Sequence, residues 1–227
     1  MRMNENVRLI GILVLAMLVL ASVQVVSAET AQSWHLLGED HEYKGTAAAD
    51  GTDHLIDCNM SKTLTSSKTS KTLAHTETMW WYAEYPAQCD LTFPAGGDWI
   101  VRIDHEKKSG WNWYAGVYKV DSDGTAISFA SGTAPVSNTE SGVTTITCHQ
   151  SAAQTFNIAS GDRLALRIKH DNSTGEVTTY FYKGTHLSNL TSPSSDPGYP
   201  VPELPTIILF SSGLIALAGY VLLKRRR

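Results

Sequence analysis

Two dipeptides in this chain of 227 residues could begin a zinc-hydrolase motif, because each places a histidine directly before a glutamate. His41-Glu42 and His105-Glu106 both lack the second histidine that an H-E-x-x-H helix needs to hold the metal. The chain also lacks the G-x-S-x-G turn that presents a nucleophilic serine. We therefore assign no catalytic residue, no metal ligand and no cofactor, and we expect a protein that is not an enzyme.

Other charged clusters are equally weak as sites. Three histidines follow an aspartate directly, in Asp40-His41, Asp53-His54 and Asp104-His105. Neighbours on a strand point to opposite faces, so such a pair forms neither a dyad nor a chelate by itself. We expect surface histidines. Asp121-Ser122-Asp123-Gly124 lacks the remaining ligands of a calcium loop, and its Asp-Gly ending predicts a hairpin turn.

Clustered aromatic residues give a stronger binding signal, in Trp80-Trp81-Tyr82 and Trp111-Asn112-Trp113-Tyr114. Alternation along a strand would bury one face and expose a ring on the other, where it could stack on a sugar. The glycan-stacking candidates are Trp80, Trp81, Trp111 and Trp113. The alternative is that these rings pack inside the domain, as aromatic side chains commonly do in β-proteins.

The three cysteines, Cys58, Cys89 and Cys148, form no C-x-x-C motif of a zinc or redox site. Cys89 is in phase with Leu91 and Phe93, and Cys148 is in phase with Ile146, so both should point inward. If a disulfide exists, we favour Cys89–Cys148. The alternative is that all three thiols stay reduced and pack in the core.

Three N-x-S/T triplets make Asn59, Asn172 and Asn189 glycosylation candidates in an exported chain.

Charge argues against nucleic acid as a partner. Residues 29–223 hold 12 basic and 21 acidic side chains, a net charge of −9. An acidic body of this kind does not neutralise phosphates.

The body of the chain has the two-residue period of strands. In Trp99–Asp104, apolar and polar residues alternate, and Leu164–Lys169 repeats the pattern. Turn signals such as Pro94–Gly97 and Ala159–Asp162 separate such runs. We predict an all-β fold for residues 29–190, an antiparallel β-sandwich of jelly-roll type.

Both termini predict export. Residues 1–28 combine Arg2 and Arg8, a short apolar run and a small-residue exit at Val26-Ser27-Ala28, as in a secretory signal peptide. Residues 191–206 form a spacer rich in Pro and Ser. Residues 207–223 carry no charge and predict one transmembrane helix. The basic end, residues 224–227, should stay on the cytoplasmic side, so that the body lies outside.

The tail resembles the PEF-CTERM sorting signals of archaeal surface proteins. The motif is Val201-Pro202-Glu203-Leu204-Pro205-Thr206, followed by the apolar helix and the basic cluster. The resemblance implies processing by an archaeosortase, a sortase-like membrane enzyme, which would remove the helix and move the body to another anchor. Position 204 is Leu where the family has Phe. Bacterial PEP-CTERM tails share the layout, and an ordinary single-pass anchor is the simpler alternative.

A second, shorter resemblance concerns the body. Gly161–Arg167 and Phe93–Gly96 are similar to segments of β-sandwich domains in archaeal surface proteins, which implies a fold and a location but no activity. The sequence therefore predicts an exported, membrane-anchored, glycosylated cell-surface protein with a structural or adhesive role. Its expected partners are the membrane, the processing enzyme, and envelope glycans or other surface proteins. The alternatives are a carbohydrate-binding module and, third, a secreted hydrolase.

Overall fold

The computed structural model describes residues 30–40, 55–63, 70–75, 77–106, 110–136, 142–173, 175–183 and 186–199. Their regular secondary structure is entirely strand, which confirms the all-β prediction. The strands are β1 (Ser33–Asp40), β2 (Leu55–Ser61), β3 (Ser70–Leu73), β4 (Thr78–Ala83), β5 (Leu91–Phe93), β6 (Asp98–His105), β7 (Asn112–Val120), β8 (Ala126–Pro135), β9 (Val143–Gln150), β10 (Phe156–Ile158), β11 (Arg163–His170), β12 (Val177–Tyr180), β13 (Tyr182–Lys183), β14 (His186–Leu187) and β15 (Asn189–Thr191).

Nine strands form a closed ring in the order β15-β1-β2-β4-β11-β7-β8-β9-β6. The ring closes because β15 pairs with β1 along one edge and with β6 along the other. The pairing of β2 with β4 is parallel, and the other pairings of the ring are antiparallel. The hydrogen bonds thus describe a barrel-like arrangement, whereas the sequence predicted two separate sheets of a sandwich.

Shorter strands extend and cap the ring. β12 pairs with the end of β6 that β15 leaves free, and β3 pairs with β12. β5 pairs with β10, and β13 pairs with β14, in two small two-stranded sheets. One edge of β6 therefore pairs with β15 and, further along, with β12. Strands from the last part of the domain are thus hydrogen-bonded to a strand from its middle.

The inside of the ring is filled by the apolar residues of the alternating pattern. Along β11, Leu164, Leu166 and Ile168 are fully buried in the main core.

The turn at 121–125 is also as predicted: Asp121 Oδ1 accepts the amides of Asp123 at 3.0 Å and Thr125 at 2.8 Å. Period-two alternation and Asp-Gly turn chemistry were therefore reliable signals in this part of the chain.

The packed domain continues past residue 190, where the sequence analysis placed its boundary. Asp196 is fully buried, and Tyr199 is 4% exposed. The Tyr199 hydroxyl donates to the carbonyl of Tyr85 at 2.9 Å and accepts the amide of Leu164 at 3.2 Å. Its ring meets the ring of Trp34 edge-on, with centroids 6.1 Å apart. Residues 192–199 thus belong to the β-domain, although their Pro, Ser and Asp content is typical of a spacer.

Several expectations lie outside the described residues: the signal peptide 1–28, the motif 201–206, the helix 207–223 and the basic end 224–227. Among the residues that are described, there is no helix with the length and hydrophobicity to cross a membrane.

Candidate functional site

A groove forms on the outer face of β11, β7 and β8 because a glycine interrupts a row of side chains. The register places Arg167 of β11 opposite Gly116 of β7, and Gly116 opposite Ser131 of β8. Side chains that face each other across strands share one face of the sheet. Gly116 contributes no side chain to that row, so a depression lies between Arg167 and Ser131.

Tyr118 fills the floor of this depression. A Cβ atom on Gly116 would lie 2.7 Å from Cε2 of Tyr118, so the phenol ring leans along β7 over the glycine. The same ring packs against Trp80 of β4, with centroids 4.9 Å apart. Trp80, Tyr82, Val120 and Ala165 form a second, small apolar cluster on this outer face, and it supports the ring from below.

Tyr114 stands at the other end of the groove and is held by Asp171. The Tyr114 hydroxyl donates to Asp171 Oδ2 at 3.0 Å. Asn112 donates to the same carboxylate from its backbone amide at 2.6 Å and from its side-chain amide at 2.8 Å. These hydrogen bonds, led by those from Asn112, lower the pKa of Asp171, and the bond to Asp171 raises the pKa of Tyr114. The ring of Tyr114 is therefore fixed before any ligand arrives.

Two cations line the groove beside these rings. The guanidinium of Arg167 lies 5.7 Å from the centroid of Trp80, and the ammonium of Lys169 lies 5.9 Å from the centroid of Tyr114. Both distances fall within the range of cation–π attraction. Arg167 and Lys169 are two residues apart on β11, so both project outward on the same side of the sheet.

The groove has a volume of about 500 Å³, within the roughly 300–1,000 Å³ typical of ligand pockets. Its lining combines two phenol rings, two cations and the hydroxyls of Ser131 and Thr133, and it includes no carboxylate. Such a surface can stack on a flat apolar face, donate hydrogen bonds and attract negative charge.

The four tryptophans named as stacking candidates do not form this site. Trp80, Trp81, Trp111 and Trp113 are all buried, with exposures of 1%, 0%, 5% and 0%. The four indoles therefore pack inside the domain, as the alternative interpretation has it, and none of them is a stacking surface. Trp81 and Trp113 face the inside of the ring, and Trp80 is covered by the apolar cluster around it. In Trp111–Tyr114, the aromatic residue on the outer face is Tyr114, which is half-buried.

Two histidines are buried, contrary to the expectation of surface histidines. His105 and His170 pack edge-on or tilted against Trp111 and Trp113, with centroids 5.5–5.9 Å apart. The Nδ1–H of His105 donates to the Glu106 carbonyl at 2.7 Å, and its Nε2 accepts from the Thr144 hydroxyl at 2.9 Å. Burial lowers the pKa of His105, which favours the neutral ring. These contacts give the imidazole a packing role.

A row of outer residues next to the groove resembles a catalytic triad in residue type. His149 of β9 lies between Asp98 of β6 and Ser131 of β8 in the cross-strand register. Nδ1 of His149 is 2.8 Å from Asp98 Oδ1. The two side chains are 71% and 55% exposed, so water screens the pair, whereas a working triad holds its aspartate buried. Elsewhere in the described ranges, no group of three His, Cys, Asp or Glu residues is placed to hold a metal.

The cysteines follow the prediction in part. Cys148 is buried, as expected, and its burial raises the pKa of its thiol to about 12. Cys89 is exposed, because it precedes β5 in a surface turn and not on an inward-facing strand position. All three cysteines are free thiols, so the favoured Cys89–Cys148 disulfide is absent.

The glycosylation candidates differ in accessibility. Asn59 lies on β2 and Asn189 on β15, and both are half-buried. Asn172 follows β11 and is 8% exposed, and its backbone N–H donates to Nδ1 of His170 at 3.2 Å. A glycan must be attached to an exposed asparagine, so Asn172 is the least accessible of the three in the folded domain. Glycosylation stays a prediction.

The groove residues had a signal in the sequence that was not used. In β7, Tyr114, Gly116 and Tyr118 occupy alternate positions, out of phase with the buried Trp113, Ala115 and Val117. In β11, Arg167 and Lys169 alternate with buried Leu166 and Ile168. Two neighbouring strands thus carry aromatic or cationic residues on the polar phase. Their adjacency in space depends on the strand order, which the sequence did not reveal.

No protein-family model matches the chain, and neither does any curated protein. Among solved structures, an α-amino acid ester hydrolase aligns with a TM-score of 0.50 and 7% identity, over 72% of this chain and 36% of that one. A CocE/NonD family hydrolase from Staphylococcus aureus aligns with a TM-score of 0.49 and 13% identity, with the same coverage. A xylan-binding module covers 73% of this chain and 93% of its own, with 11% identity and a TM-score of 0.34.

At these identities the similarity concerns the fold alone. This chain spans 36% of the length of the two hydrolases it resembles. The ester hydrolase therefore shares a β-domain of similar architecture with this chain, and the groove must be interpreted from its own residues.

Proposed function

We propose that this chain is an exported cell-surface protein of archaeal type, whose β-domain has an adhesive role and is not an enzyme. A signal peptide at residues 1–28 would export it, and the helix at 207–223 would hold it in the membrane. The motif at 201–206 would then direct an archaeosortase to release or re-anchor the body. In this proposal the β-domain lies outside the cell.

The groove carries the adhesive part of the proposal. It is built from side chains that the core does not need, since Tyr114, Arg167 and Lys169 all lie on the outer face. Gly116 leaves room for the Tyr118 ring, which packs on Trp80 and forms the floor of the groove. A groove with a preformed floor suits a surface that binds an envelope component, because less ordering is needed on binding.

The position of the sorting motif supports the location. Tyr199 is packed against the domain, and Val201 begins the motif two positions later. Seven residues, 200–206, separate Tyr199 from the apolar stretch, and fully extended they span at most about 25 Å. Prolines at 202 and 205 are typical of segments that do not form helix. An enzyme at the outer membrane face could reach this segment.

Intact-mass analysis of the protein from its native membrane tests the location and the processing. We expect a mass that lacks residues 1–28 and the C-terminal helix. Replacing Pro202, Glu203 and Pro205 by Ala leaves the apolar stretch unchanged, and the heavier unprocessed form should accumulate in the membrane. Normal maturation of that variant, or a native protein that retains Arg227, would contradict processing at the motif. The tail would then be an ordinary transmembrane anchor.

The hydrolase alternative rests on Asp98, His149 and Ser131. Their exposure argues against it, because nothing there excludes water or holds an oxyanion. Hydrolysis of p-nitrophenyl acetate that disappears in Ser131→Ala with folding intact would favour this alternative. The carbohydrate-binding alternative is the more specific candidate, and the groove gives it a defined set of residues.

A further inference from the structure

The structure assigns an anionic polysaccharide to the groove on β11, β7 and β8. The ligand class is a sugar polymer that carries carboxylate or sulfate groups. The residues that would hold it are Arg167, Lys169, Tyr114 and Tyr118, with the hydroxyls of Ser131 and Thr133 at the opposite wall. This inference specifies the ligand of the adhesive role proposed above and rests on that role.

Charge is the first argument. The groove lining contains two cations and no carboxylate, while the body of the chain has a net charge of −9. Two cations side by side on an acidic protein attract an anion to that place. Arg167 and Lys169 lie about 7 Å apart along the strand, so they can meet separate charged groups of one polymer. A guanidinium also pairs with carboxylate or sulfate oxygens through two parallel hydrogen bonds.

The aromatic rings favour a sugar over other anions. A pyranose has an apolar face of C–H groups and a rim of hydroxyls, and it matches a phenol ring flanked by donors and acceptors. Tyr118 presents its ring along the floor, over Gly116, and Tyr114 stands beside Lys169. Ser131 and Thr133 are exposed on β8 and face the same space. A small anion would not use these surfaces.

The acidic surface argues against nucleic acid as the occupant. A nucleic acid strand carries a charge at every phosphate, and its binding depends on many released counterions. Two cations in a groove surrounded by excess negative charge cannot provide that. A polysaccharide with widely spaced charges and long neutral stretches meets less repulsion.

The site is already ordered without a ligand. Asp171 holds Tyr114 and the start of β7 through three hydrogen bonds of 2.6–3.0 Å. Trp80 supports both Tyr118 and Arg167 from below. Rigid rings and a supported guanidinium lose little freedom on binding, so a modest contact area can still give measurable affinity.

Isothermal titration calorimetry with the full chain in detergent micelles tests the inference. The probes are highly methyl-esterified pectin, which carries sparse carboxylates, dextran sulfate of low sulfate content, which carries sparse sulfates, and neutral dextran. We expect binding of at least one anionic polymer, no binding of dextran, and weaker binding at high salt, because Lys169 is exposed and Arg167 is only half-buried. Arg167→Gln and Lys169→Gln should each weaken binding at least ~10-fold, as expected for a lost charge-assisted hydrogen bond.

Matched controls separate the groove from general charge effects. Arg102→Gln removes an exposed arginine from the outer face of β6, three strands away from β7 in the ring, and binding should not change. Gly116→Ala should displace the Tyr118 ring and weaken binding, whereas Gly175→Ala should not, since an added Cβ there meets nothing within 4 Å. Thermal melts of each variant confirm that the fold is retained.

Three results would overturn the inference: equal binding of neutral dextran, unchanged binding in both Arg167→Gln and Lys169→Gln, or tighter binding of a single-stranded oligonucleotide through the same residues. Binding of one anionic polymer only would identify carboxylate or sulfate as the recognised group. Failure of the titrations together with normal processing of the tail would remove the ligand and leave the surface location intact. Binding in the groove together with an unprocessed tail would support the ligand and contradict processing by a sortase-like enzyme.

Discussion

Asp196 has a fully buried carboxyl group that accepts hydrogen bonds from the backbone. Its Oδ1 accepts the amides of Gly198 at 2.8 Å and Tyr199 at 3.2 Å, and so shapes the last turn of the domain. Burial raises the pKa of Asp196, with hydrogen bonds and the charge of Lys62 opposing that shift. The folded protein therefore favours the protonated acid more than the unfolded chain does.

We predict that Asp196→Asn stabilises the protein at pH 7. A folded pKa above the unfolded value of about 3.9 means that stability is fully present below that pH and is lost as pH rises through the folded pKa. Asparagine keeps an acceptor for the two amides and never ionises. The melting temperature of the variant should exceed that of the parent at pH 7, and the difference should vanish near pH 3.5.

Two nearby charged residues affect this prediction. Lys62 opposes the expected gain, and Glu84 provides the control. The ammonium of Lys62 loses the favourable charge of Asp196 in the variant, which opposes the gain. Glu84→Gln changes an exposed carboxylate of the same region that accepts the Ser61 hydroxyl, and it should not reproduce the effect. A parent and an Asp196→Asn variant with identical melting temperatures across this pH range would contradict the argument.

At the scale of the element, β8 and β9 approach each other closely at a glycine. A Cβ atom on Gly132 would lie 2.1 Å from the carbonyl oxygen of Thr147, and backbone cannot give way as a side chain does. We predict that Gly132→Ala destabilises the domain by at least about 1–3 kcal/mol, the usual cost of overpacking. Urea unfolding measures it, with Gly175→Ala as the control. A loss below about 0.5 kcal/mol would show that the two strands can separate.

At the scale of the whole molecule, closure of the ring depends on residues near the end of the domain. β15 bridges β1 and β6, and Tyr199 packs beyond it against Trp34. We predict that residues 29–200 unfold cooperatively, while residues 29–190 lose the near-ultraviolet dichroism of packed aromatics. Removing a buried aromatic alone typically costs about 3–5 kcal/mol. Equal thermal melts of the two fragments would place the domain boundary at residue 190.

Local patterns predicted the elements of this domain well. The alternation in Leu164–Lys169 identified β11 and its inward face, and Asp121–Gly124 identified a turn, because both depend on interactions within a few residues. The same reasoning placed Cys148 inside and misplaced Cys89, because the phase of a strand does not extend into the turn before it. The expected sandwich differed from the observed ring because strand order is a long-range property.

The sequence by itself determined an all-β body and the inward and outward phase of its strands, because side-chain direction alternates locally. It also carries the whole case for export, since that case rests on the terminal segments. Only the tertiary structure decided that Gly116 lies between Arg167 and Ser131, that Trp80 is fully covered while Tyr114 is half-buried, and that Tyr199 packs into the domain. Each of these depends on which strands become neighbours, and that pairing is selected by the packing of the complete core.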